Sequence, residues 1–107
     1  MAKYRTLFVV EATQHDMSLL VPFGQDVKYL TTGREGTADL VEASMVEGLK
    51  DFDPTLDAII PTGKALSNIV LGIYLARKYS GIALSFGAYN RNRQTGEKWY
   101  QWLQKIV

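Results

Sequence analysis

The chain reads as a small α/β protein, a three-layer Rossmann-like sandwich around a mostly parallel sheet. Three observations lead there. Thr6 to Val10 and Asp57 to Ile60 are short apolar, β-branched runs with the continuous hydrophobicity of strands covered on both faces. Segments of helical periodicity alternate with them, which is the pattern of parallel strands joined by crossovers. With 107 residues, 47% hydrophobic and 21% charged, the chain has material for one core and no second, so one α/β domain over residues 1–107 is expected.

Each element has its own signal. After the strand Thr6 to Val10, the stretch Gln14 to Phe23 has room for about two helical turns before Pro22 and Gly24 stop them. A second strand, Val27 to Leu30, runs into the loop Thr31 to Thr37. Val41, Met45, Leu49 and Phe52 then recur at helical spacing, predicting an amphipathic helix of about 14 residues, with Asp39 and Glu42 early enough to favour its N-terminal dipole end. Asp53-Pro54 closes that helix and Asp57 to Ile60 is the third strand. A second helix is expected from Gly63 to Tyr79, with Arg77 and Lys78 in its last turn and Gly81 as cap. Ile82 to Phe86 is the fourth strand. The tail reads as a hairpin that turns at Gln94-Thr95-Gly96-Glu97 and returns along Lys98 to Ile106. Right-handed crossovers of this series give the strand order 2-1-3-4, with the last strand antiparallel on the edge.

Composition removes several classes of function. The chain has no cysteine, which excludes disulfides and thiolate zinc sites and fits a reducing cytoplasm. The basic start Met1 to Arg5 is followed by an apolar run of strand length that Glu11 interrupts, unlike the core of a signal peptide. The longest uncharged stretch, Ala65 to Ala76, falls short of the roughly 20 residues a membrane helix needs. A formal net charge of +1 disfavours a broad nucleic-acid footprint, although a local patch is compatible with it. No metal or cofactor is expected.

The candidate site follows from topology. Ligands of such sheets bind beyond the carboxyl ends of the strands, where the winding direction reverses, here between the first and third strands. That rim collects Glu11, Thr13, His15, Thr62, Gly63, Lys64, Ser67 and Asn68. Pro61-Thr62-Gly63-Lys64 turns a buried strand into a helix N-terminus, whose free N–H groups and positive dipole end suit an anion. The spacing is not that of a nucleoside triphosphate loop, because Ala65 stands where a Ser or Thr would follow the lysine. Thr32, Gly33 and Arg34 form a second glycine loop ahead of a helix, with the same preference. His15 and Glu11 are the candidate acid and base, since an imidazole titrates near neutrality and a carboxylate here ends a buried strand.

Leu7-Phe8-Val9-Val10-Glu11-Ala12, followed by Asp16, resembles the opening of Toprim domains, in which a glutamate ends the first strand. The resemblance implies a magnesium site with an Asp-x-Asp after a later strand. The comparable strand here ends Ile59-Ile60-Pro61-Thr62-Gly63, without either aspartate, so the likeness is one of architecture and metal-dependent cleavage is disfavoured.

Two further surfaces bear on partners. Tyr89, Asn90, Arg91, Asn92, Arg93, Lys98, Trp99, Tyr100 and Trp102 interleave bases with aromatics, as nucleobase-binding platforms do; a subunit contact is the favoured reading and nucleic acid the lesser one. Lys98, Tyr100 and Trp102 share one strand face and Trp99, Gln101 and Leu103 the other, so one tryptophan looks to the core and one away. Helix two is apolar on nearly every side, with Leu66, Ile69, Val70 and Ile73 in one stripe and Gly72 permitting close approach, which predicts a homodimer. The leading expectation is a cytoplasmic binding protein that holds a phosphate-bearing ligand, a nucleotide or nucleotide signal, at the strand rim. Rim residues, Tyr89 and Arg91 would contact the ligand. A metal-independent enzyme acting on such a ligand and a protein-interaction module working through the hairpin are the alternatives.

Overall fold

β1 (Tyr4–Glu11) is the strand around which the rest is assembled, because it alone pairs with both arms of the parallel sheet. The computed structural model describes residues 3–12 and 17–107. They form β1, a 3-10 turn (Met17–Leu20), β2 (Gly24–Thr31), α1 (Ala38–Gly48), β3 (Ala58–Ile60), α2 (Ala65–Lys78), β4 (Ala83–Arg91) and β5 (Lys98–Ile106). The sheet is mixed and has the order β2-β1-β3-β4-β5. Pairing is parallel from β2 through β4, and β5 runs antiparallel to β4 from Ala83↔Ile106 to Arg91↔Lys98 without a bulge.

The alternation of side chains along β1 divides the interior in two. Phe8 and Val10 face a core completed by Leu30, Ile59 and Leu84, with Val41 and Met45 from α1 and Leu71 and Leu75 from α2. Leu7 and Val9 face the other way, onto Ala58, Ile60 and Leu20, with Phe23, Tyr4, Tyr100 and Trp102 packed around them. Both helices therefore cover the same face, which corrects the three-layer expectation. The steps β2 to β3 and β3 to β4 run in one direction across the sheet and β1 to β2 in the other, so right-handed connections put α1 and α2 together and leave the opposite face to the β1 to β2 connection. Among the described residues that connection supplies only the 3-10 turn, and aromatic rings do the rest.

Trp102 is the largest piece of that aromatic cover. Its ring lies 5.1 Å from Tyr4 and 5.0 Å from Phe23, centroid to centroid. It fits over β4 because the opposing residue is Gly87, where a Cβ would come within 2.6 Å of the indole and 2.7 Å of Ile60. The indole Nε1 is buried with no hydrogen-bond partner among the described residues, a cost that the stacked rings offset. Trp99, three residues earlier and so on the other strand face, remains 43% exposed, and the two tryptophans divide between core and solvent as the alternation requires.

Helix ends shift from expectation for identifiable reasons. Thr37 caps α1 by accepting from the Leu40 N–H at 3.3 Å, and the helix stops at Gly48, which packs its backbone against Leu30. Leu49 and Phe52 remain buried in the turns that follow. α2 starts at Ala65 because Gly63 has φ of +78° and Lys64 is extended. No helix among the described residues is long and apolar enough to cross a membrane.

The amino end of the sheet is fixed by Asp57, a wholly buried carboxylate. It accepts from Arg5 Nε at 3.1 Å and Arg5 Nη2 at 2.7 Å, from the Thr6 N–H at 3.1 Å and from the Asp53 N–H at 2.8 Å. These bonds tie the β3 entrance to β1 and to the loop after α1. The neighbouring Asp53 is held below the ordinary carboxylate range, chiefly by the Thr55 hydroxyl and then by the Thr55 N–H. Asp57→Ala leaves two interior N–H groups without an acceptor, and a loss of about 3 kcal/mol is expected in urea unfolding, since each orphaned donor costs on the order of 1–3 kcal/mol.

Candidate functional site

At the carboxyl edge, the anion-accepting start of α2 is already filled from within the chain. Glu11 ends β1 and is 6% exposed. Its Oε2 accepts from the Lys64 N–H at 2.9 Å and its Oε1 from the Ser67 hydroxyl at 3.2 Å. Its backbone is held as firmly. Glu11 N–H donates to the Thr62 hydroxyl at 3.0 Å, and that hydroxyl donates to the Glu11 carbonyl at 2.8 Å. The positive dipole end of α2 and this carboxylate complement each other in the way helix starts complement anions generally.

Gly63 makes the arrangement possible on two counts. Its positive φ is available to glycine at no steric penalty, and a Cβ there would fall on the Glu11 carboxylate. Gly33 closes over the other side, where a Cβ would lie 3.3 Å from Glu11 Cδ. The Lys64 ammonium reaches across and donates to the Gly33 carbonyl, joining the two glycine loops. Asn68 Nδ2 donates to the carbonyls of Thr62 at 2.8 Å and Lys64 at 2.9 Å, while its Oδ1 is buried without a partner among the described residues.

The second glycine loop is likewise occupied by its own carboxylate. Glu35 Oε1 accepts from the Thr32 N–H at 3.0 Å and the Thr32 hydroxyl at 3.1 Å, and its Oε2 from the Gly33 N–H at 3.1 Å. The Arg34 N–H donates to the Thr32 hydroxyl. These contacts, led by the Thr32 N–H, hold the Glu35 carboxyl below its ordinary value. Sequence reasoning passed over Glu35, although Thr32-x-x-Glu35 has the spacing at which a side chain folds back onto a backbone N–H.

The rim residues Glu11, Thr62, Gly63, Lys64, Ser67, Asn68, Thr32, Gly33 and Arg34 thus meet at one edge, as topology predicts. Thr13 and His15 lie outside the described residues. A cavity of about 700 Å³ flanks this edge at Tyr29, Arg34 and Leu40, but Glu35 and Glu47 line it too. A second, of about 500 Å³, sits at the amino end of the sheet beside Lys3, Tyr4, Ser85 and Trp102.

The hairpin supplies further cations, beside Arg34 of the loop. β3 ends at Ile60, one residue past the Ile59↔Phe86 pair, so β4 and β5 project beyond it through Arg91 and Lys98. Asn92 builds the tip: its Oδ1 accepts from the N–H groups of Gln94 at 2.9 Å and Thr95 at 3.2 Å, and its carbonyl accepts from the Gly96 N–H. The turn therefore begins at Asn92, earlier than the expected Gln94. On the projecting part a cavity of about 570 Å³ is lined by Tyr89, Arg91 and Arg93. Tyr89 stacks edge-on with Tyr100 across the strand pair, 5.7 Å between centroids. Ion pairs among the described residues are Arg5–Asp57 and Lys50–Glu47, so Arg91, Arg93 and Lys98 have no carboxylate partner there.

The chain matches no protein-family model, no curated protein and no solved structure. Function is therefore to be read from the site alone.

Because the Glu35 carboxyl is depressed in the folded state, its stabilisation is full above the ordinary glutamate value of 4.5 and is lost as pH falls through the lower folded value. Glu35→Gln removes it. The expected deficit relative to wild type in urea unfolding is about 0.5 kcal/mol at neutral pH, the scale of a solvent-screened contact, and it shrinks as the pH drops below 4.5.

Proposed function

We propose that this protein binds a phosphate-bearing small molecule, a nucleotide or nucleotide signal, at the carboxyl edge of its sheet, with the phosphate on the hairpin. The observation that carries the reading is the cavity of Tyr89, Arg91 and Arg93. It joins an aromatic ring to two guanidinium groups that have no carboxylate partner among the described residues. Guanidinium forks match phosphate oxygens in pairs, and a tyrosine ring offers a planar apolar surface to a base. Its volume falls within the range of roughly 300–1,000 Å³ usual for small-ligand sites.

The internal occupancy of the loops supports the same division of labour. A phosphate entering at Gly63-Lys64 would have to expel Glu11 from two hydrogen bonds and leave a carboxylate unpaired nearby. One arriving at Arg91 and Arg93 displaces only water. Thr62, Lys64, Ser67 and Asn68 then act on the ligand through the shape of the rim, while Glu11 and Glu35 keep the glycine loops closed. Catalysis by Glu11 is the weaker reading, since its carboxylate is committed to the start of α2.

A thermal-shift and calorimetric screen with AMP, ADP and cyclic dinucleotides tests the proposal. At 100 times the dissociation constant a ligand adds about 2.7 kcal/mol. The Arg91→Ala/Arg93→Ala double variant is expected to weaken binding at least about tenfold, since a charged hydrogen bond contributes on the order of 1.5–3 kcal/mol. Its unliganded melting point should stay where it is. A screen in which none of these compounds shifts the wild type contradicts the proposal.

The same reading includes a homodimer through α2. Ile69, Ile73 and Leu66 are 59%, 49% and 38% exposed along its outer face, and Gly72 between them has open space around it. Light scattering at micromolar concentration is expected to give twice the chain mass for wild type and the single mass for Ile69→Asp; a single mass for wild type contradicts the dimer.

A further inference from the structure

We infer that the hairpin also takes single-stranded nucleic acid, several nucleotides long, and holds it more tightly than a mononucleotide. The inference rests on the phosphate-binding reading of Arg91 and Arg93 and specifies what carries the phosphates. It starts from how charge is distributed. Residues 83–107 hold Arg91, Arg93, Lys98 and Lys105 against Glu97 alone, a net +3, whereas residues 1–82 sum to −2. The near-neutral total thus conceals a basic ribbon on an otherwise acidic body, and a local concentration of this kind is what attracts a polyanion.

The register adds a second, independent observation. Arg91 and Lys98 are direct partners across the strand pair, both exposed and neither joined to a carboxylate among the described residues. Like charges placed directly opposite in an antiparallel pair destabilise it. With Lys98 added to Arg91 and Arg93 the cations exceed what one phosphate requires, whereas successive phosphates along a strand would neutralise them all.

Aromatic groups stand where bases would follow. Tyr89 and Tyr100 form the row next to Arg91 and Lys98 on the same face, about 7 Å away at two residues of strand rise. On the opposite face Trp99, paired with Asn90, presents 43% of its surface. Rings that every base can stack on, alternating with cations along an extended track, are the working parts of sequence-tolerant single-strand binding. β3 stops short of this part of the hairpin, so no third strand pairs with it there. A duplex hides the base faces that these rings would engage.

Fluorescence anisotropy with 5′-labelled oligothymidylate and oligouridylate of 3 and 12 nucleotides tests this, with AMP, a 12-base-pair duplex and polyglutamate as competitors. Affinity is expected to rise at least about tenfold from 3 to 12 nucleotides. Arg91→Ala/Lys98→Ala should flatten the slope of log K against log salt by about 1.4, the share of two phosphate contacts on a single strand. Tyr89→Ala should weaken binding of the 12-nucleotide strand at least about fivefold, while Trp99→Ala, on the opposite face, leaves it unchanged. Competition by duplex or polyglutamate as strong as by the single strand overturns the inference. Binding of AMP with no gain from length overturns it too, while sparing the mononucleotide reading; silence from every nucleotide and oligonucleotide overturns both.

Discussion

The carboxylate of Glu11, seated on the first turn of α2, is the contact on which the carboxyl edge depends. It joins the end of β1 to the Lys64 N–H and the Ser67 hydroxyl. Gly63 on one side and Gly33 on the other leave just enough room for it. From that seat the rest follows. Thr62 is drawn into a reciprocal pair with the Glu11 backbone, Lys64 reaches over to the Gly33 carbonyl, and the loops after β2 and β3 become one surface. A helix start that is built to hold an anion holds one of the protein's own, and Glu35 does the same for the neighbouring loop.

This self-satisfaction separates holding the edge together from meeting a ligand. The carboxylates at both loops stabilise the geometry because N–H and O–H donors surround each; for the buried Glu11 that is the condition under which a charged group can leave water. On the projecting hairpin Arg91, Arg93 and Lys98 have no carboxylate partner among the described residues. The opposite end of the sheet is organised on the same principle, with Asp57 accepting four hydrogen bonds from Arg5, Thr6 and Asp53. Buried charge in this fold thus ties loops to strands, and the net positive charge lies on residues 83–107.

Much of the fold was legible in the residues. Continuous apolar runs at Thr6 to Val10 and at Ala58 to Ile60 read as covered strands because both of their faces are buried. Lys98 to Ile106 was legible as a strand with its tryptophans on opposite faces, since a period of two leaves no other arrangement. What was not legible depends on contacts distant in sequence. The single helical layer follows from which face each connection crosses, and Gln14 to Phe23 carries too weak a pattern to say how much it covers. α1 ends early because Gly48 meets Leu30, a fact about tertiary approach and not about periodicity.

The rim was legible as a place and misread as a vacancy. Glycine, hydroxyl and lysine at Pro61-Thr62-Gly63-Lys64 describe an anion site faithfully, but local sequence does not say that the anion is Glu11, more than fifty residues away. Backbone amide shifts followed by NMR during titration with AMP test the account most directly. The account predicts movement at residues 89–93 and 98–100 with Gly33, Gly63 and Lys64 undisturbed. Movement concentrated at Gly63, Lys64 and Ala65, with the hairpin unmoved, would show the ligand taking the seat of Glu11 and would contradict it.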